Sequence, residues 1–437
     1  MISDEFGTLP AAPRIGAGAL SPLPPKPAGR VLVVSPEPFF EERGTPIVVQ
    51  MVVKALCEQG REVDLLTYPV GAPVKIPGLR IIRVGERFGI KHVPIGLSWK
   101  KIFLDLLLSV KLHLLLRSRR YSHVHALEES IFPVLLACRW HKVPAIYDMQ
   151  SSLPEQMAKF SLFRPAAVQR FLRVFESWAI RNSDYIVSSS GMSAHIRSVD
   201  PGARIREWNF PGAPLDVSID EIHALRHNLG LSPADKVVVY TGNGEPYQGV
   251  PLLLDASPAI LGAVPGAVVL IVGIKNTDVL RLSPETAALV RAGRVKILPR
   301  QARAAIPAFL AIADVLVSPR SYGSNIGFKV FEYMFSGKAI VATDSPTHRS
   351  VLNEERARLV PSVPSELARA VVNLLNDPEE AGRLAGTAKA YAHANLGWTS
   401  FARDVNQIYD RSQGRRSSRR IASPSAPPEA VAGRAGS

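Results

Sequence analysis

Cysteine is nearly absent: Cys57 and Cys138 are the only two in 437 residues. They fit no zinc spacing and cannot build a disulfide framework, which points to a reducing compartment. Long apolar runs are also missing. The longest, residues 102–116 (IFLDLLLSVKLHLLL), is broken by Asp105, Lys111 and His113, short of the ~20 apolar residues that a spanning helix needs. The first 29 residues hold Asp4, Glu5 and scattered prolines around no apolar centre, which argues against a secretion signal. A nucleic-acid module is a third absence, since the basic residues are not interleaved with stacking aromatics. The expected location is cytoplasmic, and nucleic acid is not an expected partner.

What is present is the composition of a globular chain long enough for two domains: 46% hydrophobic and 21% charged residues. The net charge of +14 is uneven. Residues 1–210 hold 27 Lys and Arg against 18 Asp and Glu, residues 211–410 hold 19 of each, and the rest holds 6 against 1. A basic first half suits an anionic membrane surface or a phosphate-bearing substrate. Residues 1–29 and 413–437 are rich in Pro, Ala, Gly and Ser and read as disordered arms, the second one basic.

Between the arms, short β-branched runs alternate with helical patterns. Strands are expected at 30–35, 62–68, 79–84, 123–127, 145–149 and 184–190. After the Pro/Gly break NFPGAPLD (209–216), six more are expected at 236–242, 267–273, 294–299, 314–319, 339–344 and 357–361. Such alternation predicts parallel sheets covered by helices, here two doubly wound α/β domains in tandem. The boundaries read as 30–210, 211–395 and a terminal helix over 396–412 that could return to the first domain. The glycines of TGNGEPYQG (241–249) follow a strand but lack the dinucleotide spacing.

In such sheets ligands bind beyond the carboxyl ends of the strands. Gly44 and Thr45 stand there after the first strand, with Pro46 at the next position, and a glycine-opened helix start can receive phosphate; turn capping is the competing explanation. His123 and His125 share one face of a strand followed by Glu128 and Glu129. AIYDMQSS delivers Asp148 and Gln150 to the same edge. In the second half, SPRSYGSNIGFKVFEYMFSGKAIVATD (318–344) supplies Arg320, Ser324, Asn325, Lys329 and Glu332 in a strand–loop–helix passage. Its loop leaves backbone N–H groups free for a diphosphate, and Glu332 can accept two hydrogen bonds from a sugar diol. The three-residue spacing puts Lys329 and Glu332 on one helical face, with solvation as the plain alternative.

SNIGFKVFEYMFSGKAIVATD, with YTGNGEPYQGVPLLLDA and ADVLVSP upstream, resembles the retaining GT-B glycosyltransferases of glycosyltransferase family 4, of the bacterial polysaccharide-assembly type, over residues 30–411. The resemblance implies an α/β GT-B fold of two Rossmann-like domains facing a cleft. A nucleoside-diphosphate sugar would be held by the second domain and a glycan or lipid-linked acceptor by the first. It implies hexose transfer with retention, and neither metal nor cofactor. By position, Glu332 matches the glutamate that holds the ribose, His125 the histidine near donor and acceptor, and Gly44 the glycine of the loop approaching the donor. Asn325 or the backbone around it would serve the transferred sugar, and Gly242 belongs to the donor loop. Departures are also visible. Ser324 stands where the family has its first glutamate, and Asn243 and Gln248 stand near its donor-phosphate Arg and Lys, a charge that Arg320 and Lys329 could restore. An epimerase of the same architecture and a catalytically silent subunit are the alternatives.

Two further segments, WKKIFLDLLLSVKLHLLLRSRR (99–120) and FRPAAVQRFLRVFESWAIR (163–181), are apolar and basic. In the second, Val168, Phe171, Leu172, Phe175 and Trp178 fall on one face. Core packing explains both most simply; docking to anionic lipid is the alternative, which would make the protein peripheral on the inner face of the cell membrane.

Overall fold

The structure, a computed structural model, describes residues 29–41, 44–93, 98–158, 160–188, 190–212, 214–274, 282–323 and 326–413. Both expected arms fall almost wholly outside these. The twelve expected strands are present, with ends within two residues of those read from the sequence. They are β1 (Val31–Ser35), β2 (Val63–Thr67), β3 (Leu79–Arg83), β4 (His123–Leu127), β5 (Ala145–Met149) and β6 (Tyr185–Ser188) in the first half. The second half has β8 (Lys236–Thr241), β9 (Ala267–Val272), β10 (Val295–Leu298), β11 (Val315–Ser318), β12 (Ala339–Thr343) and β13 (Arg358–Val360). An unforeseen β7 (Ile205–Glu207) adds an edge strand to the first sheet. Three residues with one apolar member carry no readable alternation.

Both sheets are wholly parallel, in the orders β3-β2-β1-β4-β5-β6-β7 and β10-β9-β8-β11-β12-β13. Strands buried on both faces explain the unbroken runs VLVV and AVVLIV. In each sheet the strand order reverses once, between β1 and β4 and between β8 and β11, and the crevice at such a point is the natural ligand site.

The first sheet carries α1 (Gly44–Glu58), α2 (Trp99–Ser118), α3 (Ile131–His141), α4 (Leu153–Met157), α5 (Ala166–Asn182) and α6 (Ser190–Val199). With the second go α7 (Ile219–Asn228), α8 (Val250–Ala263), α9 (Pro284–Arg291), α10 (Ile306–Ala311), α11 (Phe328–Ser336), α12 (Pro346–Arg349), α13 (Pro364–Asn376) and α14 (Pro378–Asn395). The last helix, α15 (Trp398–Gln413), crosses back onto α1. Asn406 Nδ2 donates to the Ala55 carbonyl at 3.1 Å, and the Trp398 indole donates to Glu58 at 2.7 Å. Trp208, Phe210 and Phe401 join the two halves in one apolar core. Among the described residues no helix is long and apolar enough to cross a membrane.

Candidate functional site

The reversal point of the second sheet is built from the loop after β8 and the loop between β11 and α11. Gly242 has φ 146°, and a Cβ there would stand 2.7 Å from the Tyr240 hydroxyl and 3.2 Å from Lys329 Nζ. Only glycine lets the loop pass over that ammonium. Gly249, at φ 73°, presses against the Pro319 carbonyl, where a Cβ would lie at 1.7 Å. The two loops are thus locked together, and the Ser321 amide adds a hydrogen bond to the Tyr247 carbonyl at 3.2 Å.

Into this cradle α11 delivers Lys329 from its first turn. The side chain is buried; Nζ donates to Gln248 Oε1 at 2.7 Å and lies 4.0 Å from the centre of the Tyr240 ring. Arg320, from the end of β11, is buried beside it, with its guanidinium 4.9 Å from the Tyr247 ring centre and its Nε donating to the Tyr322 carbonyl at 3.2 Å. A Cβ on Gly327 would be 3.8 Å from Lys329 Cγ and 3.9 Å from an Arg320 guanidinium nitrogen, so both side chains border the same point. No carboxylate among the described residues pairs with either. Burial, and then the Arg320 charge, hold the Lys329 ammonium well below the ordinary lysine value; burial lowers Arg320 too. Two buried cations without a counter-ion are costly alone and form a prepared seat for an anion.

His348 of α12 supports this seat from beneath. Its Nε2 meets Ser318 Oγ at 2.9 Å and its Nδ1 meets the Thr343 carbonyl at 2.7 Å. Burial pushes its pKa down to about 4, so it is neutral. Thr343 donates in turn to the Arg320 carbonyl. Sequence reasoning passed over His348; only the strand pairing of β11 with β12 brings its partners together.

Glu332 does not face the way Lys329 does, although their spacing put both on one helical face. It is half-buried, its Oε1 accepts from Arg303 at 2.7 Å, and its Oε2 has no partner among the described residues. Lys329 turns inward and Glu332 along the rim, because α11 buries nearly every other residue of its nine. Ser324 and Asn325 lie outside the described residues.

The first sheet's reversal point is acidic. The structure places His125 in the middle of β4, not at its carboxyl end. The ring is fully buried, with Nε2 3.2 Å from Asp148 Oδ2 and Nδ1 2.8 Å from the Tyr409 hydroxyl of α15, and it lies near-parallel to the Trp208 and Tyr409 rings at centroid distances of 6.1 and 6.3 Å. This corrects the expectation of an accessible histidine: both nitrogens are committed inside the protein. The residue that does emerge at the end of β4 is Glu128, in the left-handed region at φ 47°. It accepts from Ser151 Oγ at 2.9 Å and Gln156 Nε2 at 3.3 Å. Burial first, then Glu129, Asp148 and Glu37, raise its carboxyl well above the usual range. Gly44 and Thr45 open α1 beyond the end of β1, with open space around Gly44.

Residues 43–199 match the glycosyl transferase 4-like domain, and residues 235–377 match glycosyl transferases group 1. The chain belongs to the family 4-like glycosyltransferases. A phosphatidyl-myo-inositol mannosyltransferase of Mycobacterium leprae is 30% identical over 201 residues, 45% of this chain and 52% of that one, so the match spans about half the length of such relatives. A D-inositol 3-phosphate glycosyltransferase of Jonesia denitrificans is 22% identical over 299 residues, 64% of this chain and 68% of that one. Anabaena HepE in complex with UDP superposes with a TM-score of 0.67 at 18% identity, covering 87% of this chain and all of that one. Sucrose-phosphate synthase from Thermosynechococcus elongatus gives 0.69, at 18% identity, over 88% and 98%. At such identities the likeness establishes the GT-B fold. Within it, Lys329 Nζ lies against Gln248, close to where the resemblance led to the expectation of a donor-phosphate cation.

Proposed function

We propose that this protein transfers a hexose from a nucleoside-diphosphate sugar to a glycan or lipid-linked acceptor with retention of configuration. The observation that carries the reading is the pair of buried cations, Arg320 and Lys329, with no carboxylate partner among the described residues. A diphosphate supplies the missing negative charge, and the same cations stabilise the diphosphate as it leaves. The positive charge that the resemblance sets near Gln248 is supplied from α11 instead, Lys329 reaching Gln248 from the first turn of the helix. Glu332 accepts the ribose hydroxyls through its open Oε2. Gly242 keeps the backbone close to the phosphates. Asn325 and the backbone at Ser324 serve the transferred sugar, and Gly44 and Thr45 close on the donor from the first sheet.

On the acceptor side, Glu128 takes the place first given to His125. Burial and the neighbouring carboxylates favour its protonated form, in which it can donate a hydrogen bond to the incoming hydroxyl or the departing oxygen. His125 is then a positioning residue, holding Asp148 behind that crevice.

The test is a thermal-shift screen of UDP, GDP, ADP and their sugar conjugates, run beside Glu332→Ala and Lys329→Met. Stabilisation by one nucleotide family, lost in Lys329→Met and weakened in Glu332→Ala, is the expected result. Equal shifts in wild type and Lys329→Met would overturn the site.

A further inference from the structure

The helix α2 is apolar on two sides. Its inner stripe, Leu104, Leu108, Leu112, Leu115 and Leu116, joins the core of the first sheet. Its outer stripe, Trp99, Ile102, Leu106, Val110 and Leu114, is spaced three, four, four and four residues apart, and every member is more than half exposed. A helix apolar all round is normally covered on all sides. Core packing therefore accounts for only one of the two stripes.

The outer stripe is not isolated. Helices α2, α3 and α5 cover the same face of the first sheet, their inner residues sharing one cluster. The His113 ring of α2 lies 5.7 Å from His141 of α3, and Phe132 of α3 lies 5.9 Å from Phe175 of α5. Leu136 and Trp140 on α3 and Phe171 and Val174 on α5 continue the exposed apolar surface; Trp140 is 80% exposed and Trp99 72%. A contiguous surface of this kind marks an interaction site.

Its charge decides the occupant. Segments 99–120, 131–142 and 161–182 hold twelve Lys and Arg against Asp105 and Glu176 alone. Asp105 turns inward to Tyr68, and Glu176 is buried against Leu153 and His195. Lys111, Arg117, Arg139, Lys142, Arg170 and Arg173 make no ion pair among the described residues. A second copy of this face would bring like charge against like charge. An anionic bilayer meets both properties: tryptophan and leucine enter the interfacial layer while lysine and arginine reach the headgroups.

We infer that the outer faces of α2, α3 and α5 form one docking surface for an anionic phospholipid bilayer. At its edge, Lys101 pairs with Glu129, next to Glu128 at the end of β4. A bilayer on this face therefore lies beside the acidic crevice. The use of that proximity, presenting a lipid-linked acceptor, rests on the transferase reading; the docking does not.

The experiment floats the full chain with phosphatidylcholine vesicles, with and without phosphatidylglycerol, while tryptophan emission is recorded. Binding to the anionic vesicles at least about tenfold tighter than to the neutral ones, weakened by salt and accompanied by a blue shift, is expected. The double variant Leu106→Gln/Leu114→Gln should lose binding, and Lys111→Glu/Arg117→Glu should lose the preference for phosphatidylglycerol. Both sets lie on the surface, so their melting temperatures should match wild type and exclude misfolding. Flotation with neither vesicle, or flotation unchanged in both variants, would overturn the inference. So would a wild-type dimer by light scattering that Leu106→Gln/Leu114→Gln converts to monomer. The nucleotide screen reads the other crevice, so failure here leaves that result standing, and the reverse holds too.

Discussion

The two reversal points have the same geometry and opposite charge. Beyond β8 and β11 the chain buries Arg320 and Lys329 with no carboxylate partner among the described residues. At the ends of β1, β4 and β5 it gathers Glu37, Glu128, Glu129 and Asp148, and burial with these neighbours raises the Glu128 carboxyl well above the usual range. Parallel sheets produce the crevice in each case; the side chains decide what the crevice receives. Each half is unfavourable by itself, one as uncompensated positive charge and the other as crowded carboxylates. Sites that hold such costs are where stability is exchanged for function.

Lys329→Met tests that exchange most severely. Transfer should fall about 10²–10³-fold, the effect of removing one preorganised electrostatic contact, and nucleotides should no longer raise the melting temperature. Without ligand the variant should melt higher than wild type. The sign follows from linkage: the folded-state pKa of Lys329 lies below its unfolded value, so the unfolded chain holds more protons and wild-type stability rises with pH up to about 10.4. The advantage of the variant should therefore shrink toward that pH in calorimetry.

Glu128→Gln should lower transfer about 10²-fold or more while leaving the nucleotide shift intact, which separates the two crevices. Here the folded-state pKa is raised. Its contribution is fully present below the unfolded value near 4.3 and is lost as pH rises through the folded one, so the gain in melting temperature from Gln should grow toward neutral pH. A lost nucleotide shift in this variant would break the division of labour. Glu332→Ala should weaken nucleotide binding about a hundredfold, the loss of a pair of hydrogen bonds to a charged group, with kcat less affected than KM. The smallest catalytic effect is expected for His125→Gln, which should cost about 1–3 kcal/mol of stability by leaving Tyr409 or Asp148 without its buried partner. A collapse of turnover in a well-folded His125→Gln protein would return the catalytic role to the histidine.

Much of this was open to a reader of the chain alone. Burial on both faces forces parallel strands into unbroken β-branched runs, so twelve strands were legible, and their alternation with helices gave the two α/β halves. Arg320, Lys329 and Glu332 could be singled out together because they share one strand–loop–helix passage, where the order of elements fixes the carboxyl end. What the sequence could not decide was direction. Three-residue spacing put Lys329 and Glu332 on one helical face, yet packing of α11 turns one inward to Gln248 and the other to Arg303. His125 looked like a residue at a strand end, yet α15 closes over it from nearly three hundred positions away. Only the fold showed that one stripe of α2 is core and the other faces outward. Local pattern records how each element could bury a face; which face is covered, and by what charge, depends on contacts between residues far apart in the chain.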